Sequence, residues 1–455
     1  MPRSALKPLR ARSKPKATVA QIGSQFLELA LELRENIYGH LIYDDPSALF
    51  NLLTVNRQLA REVKPFLYRQ PLTFDGQPEL FGWLSEVDHD YLGHVVDVRF
   101  KLHDIDPAKI VGALGRRLQQ ANISRNSDPR GPDTEDNPYF EACHLDLKRV
   151  LRAFQLLPNV RHFTILSSSE GDPEPHHRTM DAYSKLLGNC FPNLCSLTSE
   201  EDLFPTDCLV SKPKLRRLRF PATTTTHDNG TASIFRNLAL KELEICRLPH
   251  HTASGAEEYG CLTPVLYTLP PLHSLTIFEA AGAETPNTVK EVFAGYDMST
   301  NPAMRKHLGS LRTLKLLAEP GSGYSPMNVA TAFLGSSYLS HIEYLDSWAP
   351  LYDRLPCTIQ TVVWRINWYP SASIESLVER IKHLVTRAIR AHEGPIGHKL
   401  TNLNRISISL SPVDVEQESE DNESTPEDVL IAASKRLGML GIKFTWKVQE
   451  WHEMF

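Results

Sequence analysis

One apolar spacing recurs along most of this chain and limits what it can fold into. An apolar residue is followed by a second three positions later and, in most copies, by a third two positions after that. The copies are Val95/Val98/Phe100, Val160/Phe163/Ile165, Leu194/Leu197, Leu215/Leu218/Phe220, Leu240/Leu243/Ile245, Leu272/Leu275/Ile277, Leu311/Leu314/Leu316, Ile342/Leu345, Ile359/Val362/Trp364 and Leu403/Ile406/Ile408. Several share a lead-in: Leu157-Pro158-Asn159, Phe191-Pro192-Asn193, Lys212-Pro213-Lys214 and Leu269-Pro270-Pro271. Apolar and polar residues alternate within each copy, so each predicts a short strand with one face toward a core and the other open. One such strand cannot bury its own apolar face, but stacked neighbours make a continuous core. The segments between copies supply covering helices, expected at residues 139–157, 179–187, 289–293, 328–334 and 374–392.

These copies resemble leucine-rich repeats of an irregular kind. Their intervals run from 17 residues (Ile342 to Ile359) to 65 (Val95 to Val160), whereas a regular array repeats every 20 to 29 or so. The likeness covers about residues 92–411, roughly 70% of the chain. Regular repeats also place Asn or Cys three positions past the last strand residue, and only Asn367 does so clearly. A strand-helix solenoid is therefore expected rather than a neat horseshoe.

Residues 26–68 read as three short helices. Leu29, Leu33, Ile37 and Leu41 fall at four-residue steps on one helix face, with Glu32, Arg34, Glu35 and Asn36 on the other side. Pro46 interrupts the first helix, and Ser47 is the expected N-cap of the next. There Leu49, Leu52, Leu53, Val55 and Leu59 make a broad apolar face before Val63, Phe66, Leu67 and Tyr68 close the segment. Three helices of this length bury too little to stand alone, so they need a partner or the following domain. The segment resembles an F-box, most closely the divergent F-box-like domains of filamentous fungi. The matching residues are Leu29-Ala30-Leu31-Glu32-Leu33, Ile37, Leu41, Leu49, Leu52, Val55, Asn56, Arg57 and Leu59, with the ending Pro65-Phe66-Leu67-Tyr68 and a strand-like Leu72-Thr73-Phe74. The family usually carries Pro where Ala30 stands and often Trp where Leu59 stands.

The resemblance implies an α/β chain of three parts. A basic disordered tail (1–24) precedes the helical module (25–70). An irregular leucine-rich-repeat solenoid (71–455) follows, with a disordered acidic insert at 414–428. It also implies a substrate-receptor subunit of a cullin-RING ubiquitin ligase. Leu29, Leu31, Leu33, Ile37, Leu41, Leu49, Leu52 and Val55 would bind the ligase adaptor, and through it the cullin complex. The repeat face would select a target protein. The alternative is a non-catalytic repeat scaffold without a ligase role.

Composition sets outer bounds. The 455 residues are 41% hydrophobic and 23% charged, as in ordinary globular chains. A net charge of −5 argues against a general nucleic-acid binder. No run reaches the roughly 18 apolar residues of a membrane span, and no secretory h-region stands out. The seven cysteines include no C-x-x-C pair, which predicts free thiols in a reducing compartment, cytoplasmic or nuclear.

Catalytic patterns are missing. Gly321-Ser322-Gly323 lacks the Lys-Ser/Thr of a phosphate loop, and neither G-x-S-x-G nor H-E-x-x-H occurs. His176-His177 and His250-His251 are adjacent pairs, which share no helix or strand face. Cys190 and Cys195 have the wrong spacing for zinc. The expectation is no enzyme, no cofactor and no metal. Function is sought on the open strand face, among Arg99, Lys101, His162, Arg217, Arg219, Glu242, Glu244, Lys315, Tyr344, Asp346, Arg365, Arg405 and Ser407. Target binding is assigned to Arg217, Arg219, Lys315, Tyr344 and Arg365. Arg217 and Arg219, beside Arg216 and Lys214, form the densest cationic patch and suit an acidic or phosphorylated partner.

Overall fold

The computed structural model describes residues 26–102, 138–167, 183, 187–200, 206–209, 211–221, 238–248, 270–279, 309–318, 341–347, 355–366, 374–393, 400–410 and 426–448. The basic tail, most of the acidic insert, Asn367, both histidine pairs, Gly321-Ser322-Gly323 and the helices expected at 289–293 and 328–334 lie outside them. The chain divides into two compact units, Met1–Leu72 with Asp88–Val96, and Thr73–Val87 with Asp97–Phe455.

The first unit holds α1 (Leu31–Asp44), α2 (Pro46–Val55) and α3 (Arg57–Leu67). Its core is Tyr38, Leu49, Leu59, Val63 and Phe66, with Phe26, Leu27, Leu41, Ile42, Leu52, Leu53 and Leu67 packed around it. Tyr38 meets Phe66 edge-on at 5.4 Å between ring centroids. The α2 cap is Asp45, whose carboxylate accepts from the Ala48 amide at 3.2 Å. Ser47, the expected cap, lies inside the helix. The reason is Pro46, whose preset φ and missing N–H suit the first helical position and shift the cap one residue earlier. Asn56 caps α3 through the Leu59 amide at 2.8 Å. Residues 88–96 join this unit because the 3-10 turn His89–His94 stacks Tyr91 on Tyr68 at 5.2 Å, with Lys64 over the Tyr91 ring.

The second unit is built on a sheet whose twelve strands among the described residues lie in sequence order. They are β1 (Leu72–Phe74), β2 (Asp97–Lys101), β3 (His162–Leu166), β4 (Ser196–Ser199), β5 (Arg217–Pro221), β6 (Glu242–Leu248), β7 (Ser274–Glu279), β8 (Thr313–Ala318), β9 (Tyr344–Ser347), β10 (Thr361–Ile366), β11 (Arg405–Leu410) and β12 (Lys443–Val448). Every neighbouring pair from β2 to β12 is parallel. The fold is thus α/β and solenoid-like, with a parallel sheet that grows one strand at a time.

Register turns the repeated spacing into a continuous core. Val98, Phe163, Leu197, Leu218, Leu243, Leu275, Leu314, Leu345, Val362, Ile406 and Phe444 are successive cross-strand partners, and all are buried. Burying each such side chain contributes about 1.5–3 kcal/mol. The first residue of every copy, from Val95 to Leu403, is buried as well. Just past those first positions, the carbonyls of Arg161, Cys195, Arg216, Lys241, His273, Arg312, Glu343 and Gln360 each accept two successive amides of the next strand, at 2.8–3.1 Å.

The proline lead-ins that begin at Leu157, Phe191 and Lys212 are turns. Leu194 donates to the Phe191 carbonyl at 3.1 Å and Leu215 to that of Lys212 at 3.0 Å, with Pro192 and Pro213 at the second turn position. Side chains just before four of the strands hold the preceding repeat. Asn193 donates to the Pro158 carbonyl at 3.3 Å, Asn402 to that of Cys357 at 2.9 Å, Ser310 to that of Leu272 and Thr358 to that of Ile342, both at 2.8 Å. Lys212 is buried, and its ammonium bonds the Gly188 and Cys190 carbonyls.

Helices cover the apolar face where the connections are described. The second unit contains α4 (Gln77–Glu86), α5 (Pro138–Gln155), α6 (Ile374–Glu393) and α7 (Pro426–Gly438). Phe154 of α5 packs on Phe100, Phe163 and Phe191 at 5.0–5.4 Å. In α6, Leu377, Val378, Ile381, Leu384, Val385 and Ala388 are buried at helical period. The helix α7 begins at Pro426, so residues 426–428, expected as the end of a disordered insert, form its first turn. Proline suits that position, and Glu427 and Asp428 face the positive end of the helix dipole. Gly441, at φ +76°, turns the chain from α7 into β12. Trp446 of β12 packs on Phe444 and is 37% exposed.

Candidate functional site

Two surfaces carry the residues singled out in the sequence. The first is on the three-helix unit. Arg34 is its keystone, buried and doubly bonded to Glu62, Nε to Oε2 at 2.8 Å and Nη2 to Oε1 at 2.7 Å. Arg34 also donates to the Leu27 carbonyl at 3.1 Å and to the Leu29 carbonyl, fixing the chain that enters α1. The Tyr38 hydroxyl and the Gln58 amide donate to the same Glu62 carboxylate at 3.0 and 2.9 Å. The hydrogen bond from Arg34 leads the effects holding the Glu62 carboxyl down at about 2. Burial, and then the hydrogen bond to Glu62, raise the Tyr38 phenol above its ordinary range.

This network decides which way α1 faces. Arg34, Tyr38, Leu41 and Ile42 follow one another at helical spacing and turn inward. Leu31, Leu33 and Ile37 are therefore exposed, as are Leu29 before the helix and Phe50 and Val55 on α2. The sequence reading set Leu29, Leu33, Ile37 and Leu41 on one face and Glu32, Arg34, Glu35 and Asn36 on the other; in the structure Leu41 turns inward with Arg34, while Glu32, Glu35 and Asn36 are exposed beside Leu31, Leu33 and Ile37. Of the residues assigned to the adaptor, Leu29, Leu31, Leu33, Ile37 and Val55 reach solvent. Leu41 and Leu52 are half-buried against the core. Leu49 has no exposed surface and belongs to the module's interior, which corrects its assignment as a contact residue. Phe50 was not in the assigned set. Its signal was an α2 sequence apolar nearly all round, too rich for one small core to absorb.

The second surface is the open face of the sheet. Arg217 and Arg219 sit on β5 beside their cross-strand partners Glu242 and Glu244 on β6. They pair with them at 2.8 and 3.4 Å, and Arg219 also reaches the Cys246 sulfur at 3.2 Å. Burial pushes the Cys246 thiol up to about 11. The densest cationic patch in the sequence is thus answered by carboxylates. Lys315, Tyr344 and Arg365 come together on β8–β10, three to five strands further along. Arg365 grips Asp346 with both Nε and Nη2, at 2.8 and 2.9 Å. Lys315 is the cross-strand partner of Asp346. Burial, followed by the charge of Asp346, raises the Tyr344 phenol, while Arg365 and Arg405 pull it back.

Among the described residues no group of three or more His, Cys, Asp or Glu side chains could hold a metal ion, and no helix is long and apolar enough to cross a membrane. Cys190, Cys195, Cys208, Cys246 and Cys357 form no disulfide. What the two surfaces offer chemically is recognition: apolar side chains on one, fixed charges and hydroxyls on the other.

No family model matches this chain, and no curated protein matches it. Among solved structures the chain is similar to a crystal structure of a protein from Bacteroides fragilis, at 13% identity and a TM-score of 0.32, over 75% of this chain and 84% of that one. A likeness that slight carries no argument about fold or function.

Proposed function

We propose that this chain is the substrate-receptor subunit of a cullin-RING ubiquitin ligase. In this reading the three-helix unit is an F-box-like module, the adaptor docks on its exposed apolar side chains, and the sheet face selects a target protein. The chain contributes proximity, and the transfer chemistry belongs to other subunits. The observation that carries the reading is the outward set Leu29, Leu31, Leu33, Ile37, Phe50 and Val55. A small module that leaves so many large apolar side chains in water has the character of an interface. The Arg34–Glu62 network supports it, because it holds that face outward at the cost of burying a charge. Purification of the tagged chain from a native extract, followed by mass spectrometry, tests the reading. Adaptor and cullin should accompany wild type and be lost from Leu33→Asp/Ile37→Asp. Their absence from the intact wild-type preparation refutes it and leaves a repeat scaffold.

A further inference from the structure

The open face of β8–β12 carries a charge imbalance. These five strands contain Lys315, Arg365, Arg405, Lys443 and Lys447, against a single acid, Asp346. Register puts all six on one face. Lys315 is the partner of Asp346, Arg365 of Ser409, Ser409 of Lys447 and Arg405 of Lys443. The Ser407–Thr445 hydroxyl contact at 2.8 Å joins β11 and β12 on that same face. Asp346 is consumed by Arg365. Among the described residues, Lys315, Arg405, Lys443 and Lys447 have no acid within ion-pair distance. Arg405, Lys443 and Lys447 are exposed, and Lys315 is half-buried. On β5–β6, by contrast, each of Arg217 and Arg219 meets its own glutamate. In a chain of net charge −5, four unanswered cations on one sheet face are a local field of the opposite sign.

Their layout indicates what they fit. From β8 to β12 is four strand spacings, about 19 Å. A single phosphate needs several donors converging on one point. Here the charges are strung across the strands, with the hydroxyls of Tyr344, Thr361, Ser407 and Thr445 between them. We propose that this face docks an extended acidic segment of a partner protein, its Asp and Glu carboxylates lying over Arg405 and Lys443 and reaching Lys315. The inference rests on the receptor reading in one respect, that the partner is the target.

The test uses the full chain and a fluorescein-labelled peptide of alternating glutamate and serine, with binding read by anisotropy. Wild type should bind, and binding should weaken steeply with salt. Lys315→Glu/Arg405→Glu/Lys443→Glu should bind about tenfold more weakly or worse while keeping the wild-type circular dichroism and melting curve. Lys382→Ala, which removes an exposed cation of α6 paired with Glu379, should bind as wild type does. Equal binding by the triple variant, or none by wild type, overturns the proposal. So does tighter binding of a phosphoserine peptide or of single-stranded RNA, by about tenfold, which assigns the face to phosphate. Adaptor capture is read separately from the same preparations. A chain that captures the adaptor but ignores the peptide refutes the docking face alone. One that binds the peptide without the adaptor refutes the ligase reading alone.

Discussion

Replacing Leu33 by Ala, with Leu49→Ala beside it, tests whether the outer face of the three-helix unit is free. Leu49 has no exposed surface and Leu33 keeps 53% of its own. A fully buried Leu→Ala change costs about 2–5 kcal/mol, from lost transfer energy and the cavity left behind. At Leu33 less than half of the burial term of about 2 kcal/mol is at stake, and no closed cavity forms, so the cost is about 1 kcal/mol or less. The chain has two units, so a single melting temperature would mix them. Hydrogen exchange read by mass spectrometry over residues 38–66 isolates the module. Exchange should speed up about thirtyfold or more in Leu49→Ala and about fivefold or less in Leu33→Ala, at about 1.4 kcal/mol per factor of ten. Adaptor capture should move the other way, with Leu33→Ala weakening it in a folded module. Equal acceleration of exchange in both variants would mean that Leu33 is sealed, and the case for a free apolar face would fail.

Three other outcomes follow from the structure. Glu62 has a folded-state pKa of about 2, below its unfolded value of about 4.3, so its contribution is full above pH 5 or so. That stability should drain as pH falls from about 4.5 toward 2, and Glu62→Gln should remove the acid slope measured by exchange in the module. Leu314→Ala, in the middle of the apolar ladder, should destabilise the sheet unit by about 2–5 kcal/mol in urea unfolding. Gly441→Ala meets no atom within 4 Å, so its cost should be the left-handed backbone alone, about 1 kcal/mol, seen as faster exchange in β12.

The strand array was legible because its signal is local. Leu218 and Phe220, or Val362 and Trp364, state which face is buried within one short strand, and the register then follows from matching copies. The module was harder to read for a physical reason. A periodicity argument treats Arg34 as outward because an unpaired buried guanidinium is prohibitive. Its partner Glu62 lies 28 residues away on another helix, where no local window sees it. The same kind of distance hid the pairing of Arg217 and Arg219. Their glutamates sit at the same positions of the next copy, and matching Leu218 to Leu243 sets them opposite. In place of an asparagine ladder, Asn193, Ser310, Thr358 and Asn402 in the turns before four strands brace their copies against the preceding ones.

The strict sequence order of the strands has a consequence for biosynthesis. Among the described strands, none from β2 onward has to wait for a later one before it finds a template, because its first neighbour has already left the ribosome. Repeat intervals as unequal as 17 and 65 residues change only the delay between additions, since loop closure costs little more as a loop lengthens. The nascent polypeptide can therefore zip up as it emerges, with β12 the last of the described strands to join.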